Sequence, residues 1–255
     1  MKIVITNDDG IDSLGIKALA KAVAELPFEV YVVAPEKQRS AGGHSITTHK
    51  PLRINEVDMG IKGVKAFSTN GSTADCVILA KDVIVKDMDF VISGINELPN
   101  VGDDISYSGT VSGSIEAILN DVPSFSVSIC GFGENLNRAS QFSKKLLLYL
   151  IDNPLKKGVF LNVNFPGSGK IKGVKITKIG RVKYVDRTVK RVDPSGKPYY
   201  WIMGKPVWSG DENTDTWAIK NGYVSISPLR VNFVDDEEYR RLKEEEDKFL
   251  PLLDI

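Results

Sequence analysis

The sequence predicts an α/β protein with a doubly wound, mostly parallel sheet, followed by a β-hairpin and a C-terminal helix. Two observations carry this reading. From Lys2 to about Pro166, short apolar runs rich in β-branched residues alternate with stretches of helical periodicity, the pattern of strands joined by crossover helices. After Pro166 the alternation stops, and a Lys-rich stretch with a strong turn signal takes over.

Lys2 to Thr6 reads as a buried strand that ends abruptly in Asn7-Asp8-Asp9-Gly10. Gly10 can take the positive φ that a sharp exit from a strand needs. A helical stripe of Leu14, Ala18, Leu19, Ala22, Val23 and Leu26 follows. Ligands of open α/β sheets sit at the carboxyl ends of the strands, where Asp8 and Asp9 would lie. Adjacent carboxylates repel each other, and a divalent cation with oxygen ligands relieves the repulsion. The alternative is that the pair only starts a turn and caps the helix.

Phe28 to Ala34, closed by Pro35, is a second strand. The polar loop Glu36 to Ser45 can deliver Ser40, with His44 as an accessory group, to the same edge of the sheet; otherwise it is a solvated connection. Leu52 to Ile54 and Val64 to Phe67 are short β-like runs, expected as a side hairpin or edge strands. Ser68 to Asp75 is a turn and helix start, and the helix continues through Cys76, Ile78, Leu79 and Val83.

Asp89 to Gly94 reads as another buried strand. The polar loop after it, Ile95 to Thr110, contains Asn96 and Asn100 and leads into a helix over Val111 to Asn120. Structureless loops beyond about 12 residues in a compact domain are usually functional or disordered, and the Asn-rich composition favours function. Ser108-Gly109-Thr110 offers two hydroxyls and free N–H groups at the positive end of that helix, which suits a phosphate. Simple capping of the helix by Ser108 or Thr110 is the competing reading. Ser124 to Cys130 is a strand, Asn135 to Leu150 a helix and Phe160 to Phe165 a strand. Val174 to Val192 then alternates apolar and basic residues, Asp193-Pro-Ser-Gly196 is a turn, and Pro198 to Met203 is an aromatic strand. A partner subunit would cover that aromatic surface; Lys-rich strands as protected sheet edges are the alternative. Asn221 to Leu229 is one more strand, and Asp235 to Leu250 is a charged amphipathic helix.

At 255 residues the chain makes one α/β domain or two small ones. Lys plus Arg and Asp plus Glu both number 33, so no global basic surface points to a nucleic-acid polymer as partner. No apolar run approaches the roughly 18 residues of a membrane span, and no charged-then-apolar leader follows Met1. Cys76 and Cys130 lie in apolar segments and read as buried free thiols, which makes the cytoplasm the expected location.

The common phosphate and hydrolase motifs are missing. There is no Gly-x-x-x-x-Gly-Lys-Ser/Thr run, no Gly-x-Gly-x-x-Gly after a strand, and no Gly-x-Ser-x-Gly around Ser40 or Ser108. His44 and His49 alone are poor material for a zinc site or a Ser-His-Asp triad. The remaining donors are oxygens, from Asp8, Asp9, Ser40, Asn96 and, further along the loop, Asn100. Such ligands select Mg²⁺, Mn²⁺ or Ca²⁺, and a hard cation beside a phosphate cradle suggests phosphoryl transfer to water.

The chain also resembles the survival protein SurE family of metal-dependent 5′-nucleotidases. The resemblance rests on Thr6-Asn-Asp-Asp-Gly10, Val33-Ala-Pro35 with Arg39-Ser40, His44-Ser-Ile-Thr47 and Ala74-Asp-Cys-Val77. It continues in Ser93-Gly-Ile-Asn96, Tyr107-Ser-Gly-Thr-Val111 and Val224-Ser-Ile-Ser-Pro-Leu229. It implies that Asp8, Asp9, Ser40 and Asn96 hold one divalent cation per subunit, Mg²⁺ or Mn²⁺. On this reading Asp9 orients the attacking water or accepts its proton, and Asp8 is mainly a ligand. Asn96, Asn100, Ser108, Gly109 and Thr110 contact the substrate. The resemblance further implies a single domain over 1–255, with a Rossmann-like core at about 1–170 and 221–234. A protruding hairpin arm would cover about 172–208 and a C-terminal helix about 235–251, and these elements would join homodimers or homotetramers. The implied reaction is hydrolysis of nucleoside 5′-monophosphates, with side activity on short polyphosphate. Leu98-Pro99 stands where the family has glycine two residues after the metal-binding Asn, and Thr73 stands where it has proline, so the nucleoside preference stays open. The rivals are a phosphoacceptor signalling domain, which lacks its third Asp and its Lys here, a zinc deacetylase, which lacks His-Pro, and a non-catalytic Mg²⁺-dependent nucleotide sensor.

Overall fold

Described in the computed structural model are residues 1–249, apart from 186, 187 and 203. In chain order the core begins β1 (Lys2–Thr6), α1 (Leu14–Val23), β2 (Glu29–Pro35), β3 (Ile54–Val57), β4 (Val64–Thr69), α2 (Thr73–Leu79) and β5 (Phe90–Asn96). It continues with α3 (Gly109–Leu119), β6 (Ser124–Ile129), α4 (Leu136–Asp152), β7 (Val159–Phe165) and β8 (Val174–Ile176). Then come β9 (Arg181–Val185), β10 (Thr188–Val192), β11 (Pro198–Ile202), β12 (Lys205–Ser209), α5 (Asp215–Lys220), β13 (Val224–Arg230) and α6 (Asp236–Glu244).

Nine strands form one sheet in the order β3-β4-β2-β1-β5-β6-β7-β13-β8. The six from β4 to β7 run parallel. Strand β3 is antiparallel on one edge, β13 is antiparallel to β7, and β8 runs parallel to β13 on the other edge. The chain moves outward from β1 in one direction through β2 and in the other through β5, which makes the carboxyl end of β1 the switch point where such sheets bind ligands.

The period of two along each strand sorts the core into two layers. Ile3, Ile5, Val30, Val32, Phe90 and Ile92 pack with Ile16, Leu19 and Val23 of α1 and Leu146, Leu147 and Leu150 of α4. Val4, Tyr31, Val33 and Val91 pack on the other face with Cys76 and Val77 of α2 and Ala117 of α3. Burial on both faces explains why these strands are continuous apolar runs, and each such side chain contributes about 1.5–3 kcal/mol. Caps fix where the helices start. The Ser13 hydroxyl accepts from the Ile16 N–H, and Ser72 and Asp75 form a reciprocal capping box on α2.

Several elements differ from the sequence expectation. Strand β3 starts at Ile54, and β4, although it makes a hairpin with β3, is an internal strand paired in parallel with β2. Strand β5 runs on to Asn96, so Ile95 and Asn96 belong to the sheet, and residues Gly102–Ser106 of the expected loop form a 3₁₀ turn. The stretch Val174 to Val192 is three strands. The first of them, β8, completes the core sheet, so the arm expected at about 172–208 leaves the core only afterwards. In the arm, β10 pairs with β11 and β9 with β12, and Tyr199, Tyr200, Trp201 and Ile202 are exposed. Helix α5 and strand β12 are additions. Cys76 is buried as expected, whereas Cys130 is exposed. Met203 of the expected aromatic strand, and Leu250 with the end of the helix expected to about 251, lie outside the described residues. Among the described residues no helix is long and apolar enough to cross a membrane.

Candidate metal centre and substrate cleft

The turn after β1 is built by Asn7. Its side-chain amide donates to the Gly10 carbonyl at 3.0 Å and the Ser13 hydroxyl at 2.8 Å, and its oxygen accepts the Gly10 N–H at 3.2 Å. This closes the turn onto the start of α1 and leaves Asp8 and Asp9 at the sheet edge. The Asp8 backbone carbonyl accepts the Arg39 N–H at 2.7 Å, which draws the loop after β2 to the same place.

Asp8 is only 4% exposed. Thr110 Oγ1 donates to Asp8 Oδ1 at 2.6 Å. Helix α3 approaches so closely that a Cβ on Gly109 would lie 2.6 Å from Asp8 Cβ and 2.8 Å from Oδ2, so no other residue fits there without a shift. The positive end of α3 therefore rests on a buried carboxylate. Burial pushes the Asp8 carboxyl above its ordinary range, and the Thr110 hydroxyl opposes the shift. Asp9 is pushed up to about 6, first by burial and then by the charge on Asp8. Its only donors among the described residues are distant, the Glu97 N–H and Gln38 Nε2, both at 3.4 Å.

Gln38 Nε2 also donates to Ser40 Oγ at 2.9 Å, so one amide links Asp9 to Ser40. Asn96 ends β5, beside β1 in the sheet. It is nearly buried, and its Nδ2 donates to the Leu98 carbonyl at 2.5 Å, which leaves its side-chain oxygen as the group it can offer. Asp8, Asp9, Ser40, Asn96, Gly109 and Thr110 are thus gathered at the ends of β1, β2 and β5. Ser108 belongs to the same corner, where its hydroxyl caps α3 by accepting the Val111 N–H at 3.0 Å.

Asn100 is engaged elsewhere. Its Nδ2 donates to Ser128 Oγ at 2.8 Å, its N–H to Asn164 Oδ1 at 2.8 Å, and its carbonyl accepts from Asn162 and Asn164. Buried amides on β7 must find partners, and the Asn100 backbone supplies them, while its Nδ2 is held by Ser128. The residues that sequence reasoning missed are Asn7, Gln38 and Glu116. The last accepts from His44 Nε2 at 2.8 Å, a pair that pins the loop after β2 to α3. A capping-type Asn before an acidic pair was the available signal for Asn7; nothing local marks the other two.

The donor set is two carboxylates, a hydroxyl and an amide oxygen, and among the described residues no group of three or more His, Cys, Asp or Glu could hold a metal. Two adjacent carboxylates, one buried and one half-buried, both raised in pKa, favour a positive charge between them, and all-oxygen donors fit a hard cation. A cleft of about 460 Å³ opens beside this corner, and its lining includes Ser40, Gly109, Arg39, His49, Lys50 and Asn70. A second cavity of about 220 Å³ lies at the opposite strand ends, around Phe90, Ser124 and Val159, and holds none of these groups.

Fold and corner together describe an α/β protein with a cluster of oxygen donors at the switch point of a doubly wound sheet. Residues 3–186 match the model of the family described as Survival protein SurE. The chain is 42% identical over 246 residues to the 5′-nucleotidase SurE of Desulforamulus reducens, covering 95% of this chain and 97% of that one. It is 43% identical over 240 residues to the 5′-nucleotidase SurE of Moorella thermoacetica, covering 92% of each. The crystal structure of the SurE protein from Aquifex aeolicus is similar with a TM-score of 0.82 and 38% identity, over 96% of this chain and 100% of that one. The chain belongs to the Survival protein SurE family.

Proposed function

We propose that this protein is a divalent-metal-dependent phosphomonoesterase that hydrolyses nucleoside 5′-monophosphates to nucleoside and phosphate. The observation that carries the reading is the pair Asp8–Asp9: one carboxylate enclosed by Thr110 and Gly109, the other raised to about 6 beside it. The relatives named 5′-nucleotidase support the substrate class, and they disfavour a phosphoacceptor domain or a non-catalytic sensor.

Asp8, Asp9, Ser40 and Asn96 would hold one cation, Mg²⁺ or Mn²⁺. When bound, it supplies positive charge to the phosphoryl oxygens and acidifies a water. The rest falls to the chain's own groups. Thr110 and Gly109 keep Asp8 in a single position, which suits a pure ligand. Among the described residues Asp9 has only two long contacts, one on each Oδ atom, so its carboxylate keeps lone pairs with which to orient the attacking water and accept its proton. The first N–H groups of α3 have no acceptor inside the helix, and those of Gly109 and Thr110 can hold phosphoryl oxygens as charge develops on them. Ser108 supports this by fixing the start of α3 and with it the direction of those N–H groups. The same reading has the protein as a single-domain homodimer or homotetramer, joined through the exposed aromatic face of the arm and the C-terminal elements. It has it in the cytoplasm, in keeping with its two free cysteines. The test is phosphate release from AMP with Mn²⁺ or Mg²⁺, before and after chelation. An unchanged rate in chelator, or no release under any metal, would overturn it.

A further inference from the structure

The cleft beside the cation corner has a charged wall. Arg39 Nη2 donates to the Asn70 carbonyl at 3.1 Å, and Lys50 Nζ donates to the same oxygen at 3.4 Å. The Asn70 side chain holds the wall in place, since its Oδ1 accepts the Arg53 N–H at 2.9 Å and its Nδ2 donates to the Pro51 carbonyl at 3.3 Å. Ser72 Oγ adds a bond to the Ser45 carbonyl at 2.6 Å. Two cations therefore converge on one neutral oxygen. Neither joins any ion pair among the described residues. Asp75, close by in sequence, is turned to the N–H groups of Thr47 and Ser72, at 2.9 and 2.7 Å. His49 also lines the cleft, and among the described residues no Phe, Tyr, Trp, Leu, Ile or Val does.

Like charges held together disfavour one another, and an anion relieves both. A guanidinium fork beside an ammonium is phosphate-binding chemistry. The size of the cleft bears on what carries that phosphate. About 460 Å³ falls in the size range of pockets for small organic ligands, whereas a short condensed phosphate would leave much of it unfilled.

We propose that Arg39 and Lys50 form a second phosphate subsite, and that the preferred substrate is a nucleotide carrying a further phosphate on its ribose. This rests on the nucleotidase reading above. The reaction is the same hydrolysis: water adds to the 5′-phosphorus, the bond from that phosphorus to the 5′ oxygen breaks, and the second phosphate leaves on the nucleoside product.

The experiment compares kcat/KM for AMP, adenosine 3′,5′-bisphosphate and tripolyphosphate in the full chain with Mn²⁺. The parent is expected to favour the bisphosphate over AMP by roughly tenfold, the scale of one charge-assisted contact. Lys50→Ala and Arg39→Gln are expected to bring that ratio close to one. Equal use of AMP and the bisphosphate by the parent, or a ratio unchanged in both variants, overturns the subsite. Tripolyphosphate preferred over the bisphosphate, with the same dependence on Lys50, overturns the ribose-borne phosphate. If AMP is not turned over, the nucleotidase reading falls. Calorimetric titration of parent and Lys50→Ala with the bisphosphate against AMP then decides the subsite separately, with tighter bisphosphate binding that needs Lys50 as the supporting result.

Discussion

Asp9→Asn is expected to stabilise the protein in chelator and to leave it less stable than the parent once Mn²⁺ is added. The magnitude follows from the crowding at the end of β1. Burial and the neighbouring Asp8 raise the Asp9 carboxyl from 3.8 to about 6. At 1.36 kcal/mol per pH unit this bounds the cost of ionised Asp9 at about 3 kcal/mol. Asp9 is only partly buried, and solvent screening reduces the gain on removing its charge to about 1–2 kcal/mol. For a chain of this size that raises Tm by about 2–8 °C. The sign with pH is fixed by linkage. The folded state holds the Asp9 proton more tightly than the unfolded one, so parent stability falls as pH rises from about 4 to about 6. The advantage of the variant is therefore full near neutral pH and vanishes toward about pH 4. In saturating Mn²⁺ the order reverses, because a ligand at 100 times its Kd stabilises the parent by about 2.7 kcal/mol and the variant has lost a ligand. Scanning calorimetry at both pH values, with chelator and with Mn²⁺, reads all of this. A lower Tm for the variant in chelator near neutral pH, or the same difference at both pH values, would refute the reasoning.

Gly109→Ala should reduce activity severely and destabilise by about 1–3 kcal/mol, because its methyl would overlap Asp8 and push α3 away; parent-like kinetics would mean that α3 does not set the position of Asp8. Thr110→Val should weaken Mn²⁺ binding in calorimetry and destabilise by about 1–3 kcal/mol, since it leaves a buried carboxylate short of a donor. Ser108→Ala should lose about 1 kcal/mol of stability as a lost helix cap, with a smaller effect on metal affinity than Thr110→Val; the reverse ranking would make Ser108 the ligand-facing hydroxyl. Deleting Val189 to Tyr199 should reduce self-association without unfolding the core, and an unchanged mass in light scattering would count against the arm as the interface.

What could be read in advance was whatever short-range patterning decides. Strands β1, β2, β5, β6 and β7 are buried on both faces, so period and composition exposed the doubly wound core. Asp8 and Asp9 stood out as polar residues at a strand end, and Asn96 as part of the polar loop after one. What stayed hidden depends on partners far along the chain. Strand β8 is only Val-Lys-Ile, and its place in the sheet is decided by the backbone of β13, some fifty residues on. The contact that fixes Asp8 joins residues 102 apart. Asn100 has the composition of a ligand-binding residue, but buried amides on β7, more than 60 positions away, take its hydrogen bonds. Gln38 looked like one more polar loop residue because only the folded corner brings Asp9 and Ser40 within its reach.

The loop between Asn96 and Ser108 runs from the end of β5 to α3, and several of the bonds that hold it come from the root of the arm and from Asp215. The Asp215 side chain, fully buried, accepts the Gly102 N–H at 2.8 Å and the Gly180 N–H at 2.7 Å, so one carboxylate ties the loop to the residue just before β9. Burial raises its carboxyl while these N–H groups oppose the shift. Arg181 and the Val182 N–H reach Asp103 at 3.1 and 3.2 Å, and the Tyr184 hydroxyl donates to Asp104 at 2.6 Å. Beneath them Val101 packs with Val182, Ile219 and Trp208. Close-packed contacts of this kind do not stretch continuously. A shift of β9 therefore either carries the Gly102–Ser106 turn with it or breaks a buried hydrogen bond. That turn leads directly into Ser108 and the N-terminus of α3, whose closeness to Asp8 leaves no room for even one methyl group. Contacts thus run from β9 through Asp103 and Asp215 to the turn that leads into Gly109.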